Sequence, residues 1–376
     1  MSEKKKNLLQ TGILLALVAA ICAYAGSIFL SVRRADTIIP APGLTEVRML
    51  SEYLPALAGT RGDTEIYVFQ GEEEGGSLLV LGGTHANEPA GYMAAIVMAE
   101  RADVKKGTLY VIPHANNSGF TANDAGDACP LYLHFDTASG SRVFRFGSRA
   151  TNPIDQLPDQ DTYVHAASGQ TLSGSEQRNL NRSYPGRPDG TLTEQVAYAI
   201  TELIKADRID MTVDLHEASP EYPNNNSTVA HQRALPIASR GLMYMLMEGI
   251  DIKLEASPEN YHGFTHRELG DYTDTFALLM ETSGATQGRV RGATSEMQAL
   301  TGLDKCYELL GTTTDLLYVP YDENGHPIEE RVGRHLSGVL CYVQAMGEIY
   351  PEKEIVIENI PRYSELINSS IAEYLN

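Results

Sequence analysis

A strand that passes into a helix through a glycine pair is the feature that most constrains the fold. Residues 78–81 are an apolar run typical of a buried strand. Gly82 and Gly83 then allow a sharp turn, and Pro89 suits the first turn of the helix predicted over 91–100. A buried strand followed directly by a helix predicts an α/β fold, in which ligands bind at the carboxyl ends of the strands.

The turn of this unit carries His85 and Glu88, three residues apart. An imidazole and a carboxylate at this spacing can both reach one divalent metal ion. The alternative is a surface loop with two ordinary polar residues. Two further segments favour the metal-binding interpretation.

Two other predicted strands also end in polar residues of the kinds that bind metals or move protons. His216 follows a strand over 210–215, and Glu281 follows a strand over 275–280 whose last five residues are all apolar. Two histidines and one glutamate form the ligand set of many catalytic zinc sites, and a further carboxylate can act as general base. The alternative for His216 is a histidine satisfied by a local hydrogen bond.

The segment from Arg178 to Gly186, RNLNRSYPG, is a candidate site for a substrate carboxylate. Arg182 follows Asn181, and a guanidinium beside an amide suits the capture of a carboxylate through paired hydrogen bonds. The alternative is a solvated loop whose Pro-Gly pair closes a turn.

The remaining elements follow from periodicity and composition. We expect strands over 65–70 and 108–113, helices over 193–206 with Thr193 as the cap, 235–253 and 331–350, and an irregular segment over 121–175. The formal net charge of −20 argues against a nucleic-acid partner. The four cysteines include no C-x-x-C pair, which argues against a thiolate zinc site.

The amino terminus carries an uncharged, mostly apolar run from Leu8 to Val32. It is long enough to cross a bilayer core of ~30 Å. Three lysines precede it and two arginines follow, which favours a cytoplasmic amino terminus and an extracytoplasmic domain. The alternative is a secreted protein, because Ala23-Tyr24-Ala25 is typical of a signal-peptidase site.

The four motifs GGTHANEPAG, NRSYPG, VDLHEA and LLMETSG occur in the order seen in zinc carboxypeptidase-like hydrolases. Over residues 60–290 the chain most resembles the succinylglutamate desuccinylase/aspartoacylase branch. The resemblance implies a single α/β domain with a mixed, mostly parallel central sheet flanked by helices. It also implies one Zn²⁺ per chain.

The resemblance implies residue roles as well. His85, Glu88 and His216 bind zinc, and Glu281 is the general base and later the proton donor. Asn181 and Arg182 hold the substrate carboxylate. Tyr261 could be a mobile loop tyrosine, and Arg178 a second contact for the anion.

The expected activity is hydrolysis of an amide bond in an N-acyl amino acid or peptide that bears a free carboxylate. The branch commonly carries a separate C-terminal β domain, which residues 290–376 do not resemble, and its members are typically intracellular. Both departures favour an exported metallocarboxypeptidase acting on a peptide or cell-wall peptide. A membrane-anchored binding protein without turnover is the alternative from another class.

The expected domain organisation has five segments. They are a cytoplasmic tail (1–6), a transmembrane anchor or signal sequence (7–32), a linker (33–60), the hydrolase domain (61–350) and a C-terminal extension (351–376).

Overall fold

The structure is a computed structural model that describes residues 2–124 and 129–376. Its coordinates divide into two compact units, residues 1–37 and residues 38–376. The first unit is dominated by one helix, α1 (Glu3–Ser31), which is long and apolar enough to cross a membrane. A helix of this kind at the amino terminus is either a single membrane anchor or a signal sequence.

The second unit is built on a mixed sheet with helices on both faces. Its strands are β1 (Glu46–Met49), β2 (Glu65–Gln70), β3 (Glu73–Leu81), β4 (Asp103–Ile112), β5 (Tyr132–Thr137), β6 (Gly140–Arg145), β7 (Thr162–Val164), β8 (Thr171–Ser173), β9 (Met211–Ala218), β10 (Ser227–Ala230), β11 (Lys253–Ala256), β12 (Phe276–Ser283) and β13 (Val356–Glu358).

The helices of this unit differ widely in length. They are α2 (Pro89–Arg101), α3 (Pro153–Gln156), α4 (Leu192–Ala206), α5 (Leu235–Met247), α6 (Gly270–Tyr272), α7 (Glu296–Thr301), α8 (Lys305–Thr313), α9 (Ile328–Ile349) and α10 (Tyr363–Leu366).

The main sheet has the strand order β1-β2-β4-β3-β9-β12-β10-β11, and β13 pairs with β4. The four central strands, β4, β3, β9 and β12, run parallel to one another. The strands toward either edge include antiparallel pairs. The predicted α/β class with a mixed, mostly parallel sheet is therefore confirmed.

The alternation of side chains along the strands builds a core on each face of the sheet. Leu78 and Val80 of β3 join a core formed with α2, α5 and α9. Leu79 and Leu81 face the opposite core, which is closed by α4. Burial on both faces explains the continuous apolar runs of the central strands.

Some elements differ from those expected. The segment over 121–175 contains two hairpins, β5 with β6 and β7 with β8, besides residues 125–128, which lie outside the described residues. The strands of these hairpins pair only with each other and lie outside the main sheet. Their sequences therefore lack the continuous apolar runs of the central strands. Part of the expected linker over 33–60 also lies in the sheet, because β1 pairs with β2.

The ends of three predicted elements also move. The cap of α4 is Thr191 and not Thr193, because Thr191 Oγ1 accepts from the amide of Glu194, whose carboxylate accepts from the amide of Thr191. The helix predicted over 235–253 ends at Met247, and Lys253 begins β11. Strand β9 continues through Ala218, so His216 lies inside the strand.

Candidate metal centre and its cavity

The three predicted ligands come from the turn after β3, the start of α2 and the end of β9. Gly83 has a φ of +66°, and a Cβ there would lie 2.7 Å from the ring of Phe120. Glu88 directly precedes α2, whose first residue is Pro89. Adjacent parallel strands end at the same edge of the sheet, so the turn and β9 bring these residues together.

His85, Glu88 and His216 form one compact, buried cluster. His85 Nδ1 lies 2.8 Å from Glu88 Oε1, and His216 Nδ1 lies 2.9 Å from Glu88 Oε2. One ligand atom from each residue lies within 4.8 Å of the others. The cluster is consistent with a single metal ion held by two nitrogens and a carboxylate.

The outer nitrogens of both imidazoles are engaged by oxygen acceptors. His85 Nε2 donates to Asn179 Oδ1 over 2.9 Å, and His216 Nε2 donates to Asp214 Oδ2 over 2.8 Å. A proton held at Nε2 leaves the lone pair of a neutral imidazole at Nδ1, toward the cluster. Metal-binding histidines are usually oriented in this way, so these residues fit the ion that the ligand set implies.

The electrostatics of the cluster also suit a cation. Burial lowers the pKa of His85 to about 4, which keeps its imidazole neutral. Against the effect of burial, the two neighbouring histidines hold the pKa of Glu88 well below its usual range. Burial also opposes the charged form of His216, but Asp214 and Glu88 raise its pKa well above the ordinary value. The raised pKa means that these carboxylates favour a positive charge at His216. A metal ion at Nδ1 would supply that charge in place of a proton.

Glu281 lies on β12 in register with His216 on β9. Its Oε2 is buried and has no hydrogen-bond partner among the described residues, while its Oε1 accepts from Asn224 Nδ2 over 3.4 Å. Burial raises the pKa of this carboxyl to about 8. A buried carboxylate oxygen without a partner marks a position where a polar ligand or water binds.

The cluster opens into a cavity of about 200 Å³. Polar and charged side chains dominate its wall, which is formed by His85, Glu88, Arg149, Asn181, Arg182, Glu217, Ala218, Ser219, Tyr222, Asn224, Phe264, Glu281 and Gln287.

Arg182 and Asn181, the predicted contacts for a carboxylate, both lie on this wall. The guanidinium of Arg182 stacks on the ring of Phe264, 3.9 Å from its centroid, and donates to the carbonyl of Asn181. Burial lowers the pKa of Arg182 to about 10. A buried cation in a cavity is suited to an anionic group, because the anion compensates the lost hydration.

Arg178 and Tyr261 do not belong to the cavity wall. Arg178 donates to both carboxylate oxygens of Asp159 and to the carbonyl of Thr151. Tyr261 is 45% exposed and stacks on Phe264. The roles suggested for Arg178 and Tyr261 therefore gain no support from the geometry.

Arg149, Asn179 and Asp214 are among the site residues that were not predicted from the sequence. Arg149 places a guanidinium nitrogen 3.5 Å from His85 Nδ1 and 3.8 Å from Glu88 Oε1. Asn179 and Asp214 orient the two histidines, as described above. No spacing marked Arg149, whereas Asn179 and Asp214 each stand two residues before a predicted site residue, which is a usable signal.

A buried ion pair lies next to the predicted metal ligand His216. Glu217 follows His216, and its carboxylate accepts from the amide of Ala90 and pairs with Arg331 of α9. Both side chains are at most 1% exposed. The pair connects the cavity wall, to which Glu217 belongs, to α9.

The α/β sheet carries a buried His-x-x-Glu…His cluster that is consistent with a single metal ion. Residues 160–309 match the family model of the Succinylglutamate desuccinylase/Aspartoacylase catalytic domain. The match covers 150 of the 376 residues, so it is a similarity over part of the chain.

Several solved structures are similar in fold. The ectoine utilization protein EutE (DoeB) from Ruegeria pomeroyi is 21% identical over 60% of this chain and 55% of its own, with a TM-score of 0.36. A succinylglutamate desuccinylase/aspartoacylase from Rhodobacter sphaeroides is 18% identical over 61% and 54%, with a TM-score of 0.37. A metallo-carboxypeptidase from Burkholderia cenocepacia is 10% identical over 86% and 69%, with a TM-score of 0.45.

The chain covers little more than half the length of the first two of these structures. No curated protein matches it.

Proposed function

We propose that the protein is a zinc-dependent amide hydrolase whose substrate is an N-acyl amino acid or peptide with a free carboxylate. The observation that carries the proposal is the buried Oε2 of Glu281, which has no hydrogen-bond partner in the described part of the chain and lies in the cavity lined by His85 and Glu88. Three metal ligands alone are also compatible with a purely structural metal site. A basic carboxylate beside it supplies the second group that hydrolysis needs.

The ligand set favours zinc among divalent ions. Two imidazole nitrogens and one carboxylate suit Zn²⁺ and leave a position open for water or substrate. His85, Glu88 and His216 would hold such an ion, which would lower the pKa of a bound water and polarise the carbonyl group of the substrate.

Glu281 provides the acid–base chemistry. Its raised pKa makes it a stronger base than an exposed carboxylate, and Oε2 is free to accept the proton of the attacking water. The protonated carboxyl then donates the same proton to the nitrogen of the leaving amine. Asn224 holds Oε1 and leaves Oε2 directed to the reaction.

Arginines bind the two oxygen-rich parts of the substrate. Arg182, backed by Phe264 and Asn181, holds the free carboxylate. Arg149 lies beside His85 and Glu88, where it donates to the carbonyl oxygen as negative charge develops there. The polar wall and the volume of about 200 Å³ favour a small polar residue next to the scissile bond.

We place the hydrolase domain outside the cytoplasm, held at the membrane by α1. The charges on either side of the apolar run support this orientation. A cleaved α1 gives a secreted enzyme with the same active site.

The test uses the full chain in detergent, stripped of metal and then supplied with Zn²⁺. We expect Zn²⁺-dependent release of free amine from a panel of N-acyl amino acids and short peptides, and loss of that activity with a chelator. A matched panel of amidated peptides, which lack the free carboxylate, should react poorly. Metal binding without turnover of any member would refute the hydrolase and leave a binding protein.

A further inference from the structure

A line of polar contacts joins the metal ligand His85 to the substrate arginine Arg182. His85 Nε2 donates to Asn179 Oδ1 over 2.9 Å, and Asn179 Nδ2 donates to Glu176 Oε2 over 2.8 Å. The same Glu176 oxygen lies 3.8 Å from Nε of Arg182. One carboxylate therefore touches both the partner of a metal ligand and the group proposed to bind substrate.

The two ends of the Asn179 amide are not equivalent, so its orientation matters. Oδ1 accepts from His85 and also from the amide of Asn181 over 3.0 Å. If the amide turned over, Nδ2 would face two donors and could bond to neither. The bond from Nδ2 to Glu176 stabilises the orientation that keeps Oδ1 toward His85.

The other histidine needs no such support. The acceptor for His216 is Asp214, whose carboxylate presents an oxygen in either orientation. Two hydroxyls, of Thr84 and Thr265, hold that carboxylate from behind. The neutral amide beside His85 is the weaker of the two supports, and its orientation is held by the amide of Asn181 and by the partly exposed carboxylate of Glu176.

We propose that Glu176 is a positioning residue that couples metal affinity to carboxylate recognition. It holds Asn179 so that His85 keeps its lone pair toward the metal, and it shares its charge with Arg182. The inference rests on the proposed function, because it assumes that the cluster binds a metal and that Arg182 binds a carboxylate.

Two substitutions separate the two contacts. Glu176→Gln keeps an oxygen that can accept from Asn179 Nδ2 but removes the charge beside Arg182. Glu176→Ala removes both. Glu202→Ala is the matched control, because its carboxylate is about equally exposed and pairs with Lys205 on the surface of α4.

The first measurement is Zn²⁺ affinity of the metal-free full chain in detergent, by competition with a chromophoric chelator. We expect Glu176→Ala to raise the dissociation constant about tenfold, the lower end of the effect of groups that support metal ligands. Glu176→Gln and Glu202→Ala should bind Zn²⁺ like the wild type. Equal affinity of Glu176→Ala and the wild type overturns the coupling.

The second measurement is binding of N-acetyl-L-glutamate to the Zn²⁺-loaded protein, in a Glu281→Gln background that prevents turnover. We expect Glu176→Gln to tighten binding roughly threefold, because Arg182 no longer shares its charge with an internal carboxylate. Unchanged binding overturns the charge-sharing role. A wild-type chain that binds no Zn²⁺ instead refutes the metal centre, and the proposed function with it.

Discussion

Glu281 and His216 occupy opposite positions on two adjacent parallel strands, β12 and β9. Residues in register on adjacent strands project to the same side of a sheet. The arrangement fixes a carboxylate next to a predicted metal ligand by strand pairing alone, without a flexible loop. A catalytic pair built on strands is held more accurately than one built on loops.

Replacing Glu281 by Gln should remove turnover and retain the metal. The amide keeps the size of the side chain but cannot accept the proton of the attacking water, so kcat should fall roughly 10²–10⁴-fold. Zn²⁺ content measured by elemental analysis should stay at one ion per chain. Full activity of the variant would contradict the role of Glu281 as general base.

Replacing His85 by Ala should abolish Zn²⁺ binding at submicromolar concentrations, because two ligands cannot replace three. The readout is Zn²⁺ content after gel filtration in the presence of a weak chelator. His134→Ala is the control, because His134 pairs with Glu296 on the surface of a hairpin. Equal loss of Zn²⁺ in both variants would point to unfolding and not to ligation.

Replacing Arg182 by Lys should raise KM more than it lowers kcat. An ammonium makes only one of the two parallel bonds to a carboxylate, and a lost charged hydrogen bond is worth about 1.5–3 kcal/mol, or roughly tenfold to a hundredfold. Arg178→Lys is the paired control. It disturbs the contact with Asp159, so it should lower thermal stability and leave KM unchanged. A large KM effect of Arg178→Lys would restore the anion role first expected for it.

The lowered pKa of Glu330 leads to a prediction of how the free energy of unfolding depends on pH. Burial opposes its ionisation, but His326 and Arg334 lower its pKa to about 2. A folded-state pKa below the unfolded value contributes stability above pH ~4.5, and the contribution is lost as the pH falls toward about 2.

Glu330→Gln should therefore lower the free energy of unfolding at neutral pH, by on the order of 2 kcal/mol. The difference from the wild type should vanish near pH 2. Urea unfolding at several pH values measures it, with Glu202→Gln as the control for an exposed carboxylate. A difference that does not change with pH would contradict the assigned charge contacts.

The sequence contained enough to locate the metal centre but not its supports. His85 and Glu88 follow the apolar run 78–81 and Glu281 follows the apolar run 276–280, while His216 follows a strand of mixed composition, and parallel strands bring such ends together. Asn179 reaches His85 across 94 positions of the chain through a single hydrogen bond, and no local pattern encodes that distance. Arg149 enters the cavity from a segment between two small hairpins, whose strands pair outside the main sheet.

The edges of the fold were the least predictable part. Strand β1 has four residues and almost no buried side chain, so it lacks the alternation that marks a strand. The cap of α4 was misplaced by two residues because Thr191 and Thr193 are both residues of a type that caps helices. Only the reciprocal bond with Glu194 distinguishes them.

Because Glu217 pairs with Arg331, we expect that an active fragment of this protein must extend at least through α9. The family match ends at residue 309, before α9 begins. A protein truncated there would leave the buried Glu217 carboxylate without its cation, immediately beside His216. A domain cut at the end of the matched stretch should therefore fail, although all three proposed ligands, His85, Glu88 and His216, would be present.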